Sequence, residues 1–163
     1  MSEDFVPYEL AVKLKEKGFD IPCIYAYCEK GGWNKYRQVR EPITHILRTD
    51  SNPFGTFYCG KNWNIKYETN KNKIRCSAPT ISQILNWLRK EKKLHIEPCI
   101  LADADIDADG KIINEYVYWS FSVTNIESGD SIYFEYEHID NKRFDSYEQA
   151  ALAGILYVLD NLI

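Results

Sequence analysis

The stretch Glu115-Tyr-Val-Tyr-Trp-Ser-Phe-Ser-Val-Thr124 decides how this chain is read. Val117, Trp119, Phe121 and Val123 fall on one side of an extended backbone; Tyr116, Tyr118, Ser120, Ser122 and Thr124 fall on the other. Strand side chains alternate between faces, so this period of two predicts a half-solvated β-strand. Turn formers follow at Glu127-Ser-Gly-Asp130 and alternation resumes over 132–138, which predicts a hairpin. Further strands are expected at 23–29, near 43–47, and at 54–59, 64–68 and 95–101, with exposed loops at 30–34, 50–53 and 69–73.

Helical periodicity appears in three other places. Leu10, Ala11 and Leu14 share one face over 7–17, and Gly18 is placed to end that helix. Thr80 and Gln83 form a T-x-x-Q capping box ahead of Ile81, Ile84, Leu85 and Leu88, and Arg89-Lys-Glu-Lys-Lys93 sets positive charge at the negative end of the dipole. A third helix opens at Ser146 with Gln149 as its box partner. Two apolar stripes run along it: Ala151, Ile155, Val158 and Leu162, and beside them Leu152, Leu156, Leu159 and Ile163. That arc exceeds the roughly 100° of an amphipathic surface helix. It implies a helix clasped within its own chain or, as the second reading, a homodimer seam or partner groove. Short strands with helices in three places and no βαβ alternation predict an α+β fold, an antiparallel sheet of short strands with about three helices packed mainly on one face.

Charge is sorted along the chain. Residues 30–93 carry fourteen Lys/Arg against four Asp/Glu, and 94–163 carry three against fourteen. The formal net charge of −4 hides two opposite fields, which suit self-pairing, a basic binding face or an acidic cation site. A length of 163 residues fits one globular domain, 1–163, and 45% hydrophobic with 14% aromatic residues excludes intrinsic disorder. No apolar run approaches the roughly 18 residues of a membrane span. The acidic start of the chain lacks the basic and apolar regions of a secretion signal, so a cytoplasmic setting with free thiols is expected. The five cysteines and three histidines show no paired zinc-ligand spacing, and Cys23, Cys28 and Cys99 sit in apolar surroundings that predict buried thiols.

Two segments carry candidate chemistry. Asp105-Ile-Asp107-Ala-Asp109-Gly110 matches the opening of a calcium loop, where alternating carboxylates converge on one hard cation. Position twelve of such a loop is Tyr116 rather than Glu, and the flanks read as strands, so an acidic hairpin tip is the preferred reading and Ca²⁺ the alternative. The second segment, 30–75, interleaves aromatics with cations. Trp33, Tyr36, Arg37, Lys61, Trp63 and Lys66 are the candidates for a single-stranded nucleic-acid platform, in which rings stack on bases and cations meet phosphates. A sequence pI near 5.4 argues against that use. No nucleophile elbow, zinc-protease motif, Walker loop or dinucleotide fingerprint occurs, and His95 with Glu97 on one side of a strand is the nearest approach to an acid–base pair. No catalytic or cofactor-binding residue is assigned, and enzymatic activity is not expected.

Three stretches carry a resemblance: Glu9-Leu-Ala-Val-Lys-Leu-Lys-Glu-Lys-Gly-Phe-Asp20, Ala78-Pro-Thr-Ile-Ser-Gln-Ile-Leu-Asn-Trp-Leu-Arg-Lys90 with Leu94-His-Ile96, and Phe144-Asp-Ser-Tyr-Glu-Gln-Ala150. They are similar to segments of small uncharacterised proteins of gut Bacteroidetes and of their phages and prophages. The resemblance implies a mobile-element context and transfers no site residue. The expectation that follows is a non-enzymatic accessory protein working through an unidentified protein partner.

Overall fold

The computed structural model describes residues 5–34, 38–49, 64, 74–134 and 143–163; at 30–34, 39–49, 74–75 and 133–134 it describes the backbone alone. The class is α+β, with three α-helices and two antiparallel sheets among the described residues. The chain divides into two compact units, Met1–Gln83 and Ile84–Ile163. Among the described residues no helix is long and apolar enough to cross a membrane.

In the first unit α1 (Tyr8–Glu16) buries Leu10, Ala11 and Leu14. Gly18, at φ +84°, ends it as the spacing predicts: its N–H donates to Lys15 O and that of Phe19 to Leu14 O, a Schellman closure with Phe19 and Leu14 both buried. The sheet has the order β2-β1-β3, built from β1 (Tyr25–Asn34), β2 (Val39–Thr49) and β3 (Ile74–Ala78). Strand β1 runs through 30–34, where a loop is expected. A register shift between Lys30 and Gly32 marks a bulge within this continuing ladder. The strand expected at 54–59, that expected at 64–68 apart from Asn64, and the loops at 50–53 and 69–73 lie outside the described residues.

Helix α2 (Ile81–Trp87) continues into a π-helical turn, Leu88–Lys92. Its capping box forms as predicted: Thr80 N–H donates to Gln83 Oε1 at 2.9 Å, and Gln83 N–H to Thr80 Oγ1 at 3.3 Å. Lys93, at φ +58°, closes the turn, and its Nζ donates to Lys90 O at 2.9 Å, satisfying a carbonyl the helix leaves open.

The second unit is organised by β4 (Leu94–Ile106) and β5 (Ile112–Asn125), paired from Leu94↔Asn125 to Ile106↔Ile112. The short β6 (Ser131–Phe134) completes the order β4-β5-β6. These two strands are far longer than the short ones expected, because the acidic segment at 103–106 continues β4 instead of leaving it. Helix α3 (Tyr147–Asn161) lies on the face carrying Ile96 and Phe121. Ser146 Oγ caps it by accepting from Gln149 N–H, while Gln149 Oε1 accepts from Asp145 N–H, one residue earlier than the box predicts. Of the two stripes on α3, Ala151, Ile155, Val158 and Leu159 are buried, whereas Leu156 and Leu162 are exposed.

Gly154 permits this packing. A Cβ there would lie 2.6 Å from Ile96 Cγ2 and 3.0 Å from the Phe121 ring. Alanine in a helix ordinarily gains about 0.5–1 kcal/mol over glycine, but overpacking against a β-branched side chain and a ring costs roughly 1–3 kcal/mol. Gly154→Ala is therefore expected to lower the urea midpoint, by about 1–2 kcal/mol of stability; an unchanged or raised midpoint would show that α3 does not approach the sheet this closely.

Candidate functional site

The distal half of the β4–β5 hairpin is where the unusual surface lies. Helix α3, at fifteen residues, spans roughly 22 Å, while the thirteen residues of β4 extend roughly 43 Å. A helix of that length covers about half of the ladder. Burial follows this division and departs from the simple alternation expected for β5. Over 118–123 both faces are covered, with Tyr118, Ser120 and Ser122 buried beside Phe121 and Val123, whereas Val117, on the α3 face, is 71% exposed. Coverage along the strand, more than side-chain alternation, sets what is wet.

Beyond residue 100 the hairpin forms an arm with two distinct faces. On the α3 side stand Ile100, paired with Trp119, and Ala102, paired with Val117. Ile100 is 58% exposed, and Ile106, Ile112 and Ile113 are exposed at the tip. The opposite side is held by a clasp. Arg143 lies 3.8 Å from the Tyr116 ring centroid and 5.1 Å from that of Tyr118, and its guanidinium meets Asp103 at 3.5 Å. The Tyr116 hydroxyl donates to Asp105, and that carboxylate pushes the phenol pKa up, with Arg143 opposing. Arg143, which no sequence motif marks, thus ties the chain entering α3 to the arm.

The three metal candidates take different positions along this arm. Asp105 lies in β4 and accepts from Tyr116 of β5, while Asp107 and Asp109 belong to the connecting turn. Asp107 Oδ1 accepts from Asp109 N–H at 3.0 Å and Lys111 N–H at 2.8 Å, and Gly110, at φ +82°, makes the turn possible. The Asp107 carboxylate therefore serves the backbone of a strand-flanked turn. Among the described residues no group of three or more His, Cys, Asp or Glu is placed to hold a metal ion.

The face opposite α3 also carries His95, Glu97 and Cys99 opposite Thr124, Ser122 and Ser120. His95 and Glu97 share a side, as expected, but His95 Nδ1 is buried without a hydrogen bond and Thr124 Oγ1 pairs with Ser131 Oγ at 2.7 Å. Burial and then Glu97 raise the Cys99 pKa, the opposite of what activates a nucleophile. Of the nucleic-acid candidates, Trp33 lies in β1 opposite Arg40 of β2; Tyr36, Arg37, Lys61, Trp63 and Lys66 lie outside the described residues. Comparison with family models, curated proteins and solved structures finds no match.

Cys23 and Cys28 are buried thiols, as their apolar surroundings predict; Cys99, expected to be buried with them, is only half-buried, and Cys76 is buried as well. Burial pushes both Cys23 and Cys76 from an ordinary 9.0 up to about 11. Unfolding releases thiols that ionise near pH 9, so their contribution to stability is complete below pH 9 and is lost as pH rises from 9 to about 11. Tyr27, also raised chiefly by burial, adds to that trend. The urea midpoint is expected to fall across this window, and to fall less in Cys76→Ala; a profile insensitive to that replacement would contradict the assignment.

Proposed function

We propose that this is a non-enzymatic accessory protein that works by binding another protein, with the β4–β5 arm as its contact element. The observation that carries the reading is the bare apolar face of the arm: Ile100 and Val117 stand exposed on a paired, clasped ladder. Soluble proteins keep few contiguous exposed apolar patches, and those they keep mark interaction sites. Cross-strand diagonal neighbours lie about 7–8 Å apart, so one partner side chain reaches both. The clasp holds the arm before a partner arrives, which lowers the ordering cost of association. The carboxylates of the tip and Glu115 favour a partner with basic residues around an apolar contact. The likeness of its helices to proteins of Bacteroidetes and their phages supports a setting in a phage or prophage.

Burying a Val or Ile side chain contributes about 1.5–3 kcal/mol, and a carboxylate in its place adds a desolvation penalty. Affinity capture by the intact chain and by Val117→Asp is expected to differ in one or a few proteins, each held at least ten-fold less by the variant. Identical capture at equal thermal stability would remove the arm as the contact element.

A further inference from the structure

We propose that a second copy of this chain pairs along the outer edge of β4. The inference rests on the arm being a contact element and names its occupant.

Strand β4 is the edge of its sheet. Trp119 exchanges both backbone hydrogen bonds with Phe144, so its N–H and C=O point away from β4. Its ladder partner Ile100 is consequently in a non-hydrogen-bonded pair, and the N–H and C=O groups of Ile100, and two residues on of Ala102, face the outer edge. Among the described residues none accepts or donates to them. Pro98 belongs to the same set, which explains how proline sits within a long strand: the N–H it lacks is one that β5 never uses. An edge of this kind is a template for another strand.

Charge selects the occupant. Arg89, Lys90, Lys92 and Lys93 precede β4, while Asp103, Asp105, Asp107 and Asp109 lie at its far end and turn. Two copies related by a two-fold axis run antiparallel, so each acidic end meets the basic end of the other copy, twice per dimer. A basic peptide would match one end only. A two-fold centred on Cys99 sets Asp103 opposite His95 of the second copy and Asp105 opposite its Lys93. A centre one residue later sets Asp103 against Glu97, like against like. In the favoured register Cys99 faces its own counterpart, and Pro98 accepts a hydrogen bond from Ile100 of the second copy.

Sedimentation equilibrium of the full chain is expected to show a dimer whose dissociation constant rises with salt. Ala102→Pro removes an outward N–H without touching the β4–β5 ladder and should weaken the dimer at least ten-fold with unchanged circular dichroism. Should that variant misfold, Asp105→Lys is expected to weaken the dimer and Asp105→Lys with Lys93→Asp to restore it. Copper–phenanthroline with dioxygen, which takes two electrons and two protons from a pair of thiols, should give a covalent dimer that Cys99→Ser abolishes. A monomer at every salt concentration, or a dimer indifferent to Ala102→Pro and to the charge swap, would overturn the second copy as occupant. If such a monomer still loses a captured protein through Val117→Asp, the arm's contact role stands. A dimer sensitive to the edge variants but capturing identically with Val117→Asp supports the edge pairing and removes the role proposed for the apolar face.

Discussion

The antiparallel pairing of β4 with β5 is the constraint on which the second unit depends. Its register fixes which residues share a face, from Leu94↔Asn125 at one end to Ile106↔Ile112 at the other. One stretch of that ladder is sealed by α3, and the seal is close because residue 154 has no side chain to hold the helix away from Ile96 and Phe121. The helix is too short to seal the rest. The arm is thus a consequence of two lengths, the rise of a strand being more than twice that of a helix per residue.

What lies beyond the helix is built rather than left over. The turn is closed by the Asp107 carboxylate and by Gly110 in a left-handed conformation. One face is stiffened by Arg143 against two tyrosine rings and Asp103, and the other stays apolar and bare. One side of the arm is thus polar and clasped, and the other apolar and exposed. The same register leaves the backbone groups of Ile100 and Ala102 on an open edge, so the face and the edge of the arm offer different chemistry.

The local signals in the sequence were legible where one residue acts on its neighbours. The Thr80–Gln83 box, the Ser146 cap and the Gly18 stop are satisfied by hydrogen bonds three to five residues apart, and they appear where the spacing puts them. Burial along β5 was not legible, because alternation reports which residues share a face and says nothing of how far a covering helix reaches. Val117 is bare for that reason, while Ser120 and Ser122, which face away from α3, are buried where alternation predicts a solvated side. The Asp105–Asp109 pattern reads first as an acidic hairpin tip, and the Asp107 carboxylate does accept the amides of that turn. Gly154 and Arg143 act on residues distant in sequence, and nothing near either of them announces that role.

Hydrogen exchange resolved at single amides tests the central claim most directly. If the ladder persists past the end of α3, the amides of Leu101, Asp103, Tyr116 and Tyr118, which face the partner strand, exchange far more slowly than those of the turn at 127–129. If these four exchange as fast as that turn, the arm is not an ordered extension of the sheet and the account built on it fails.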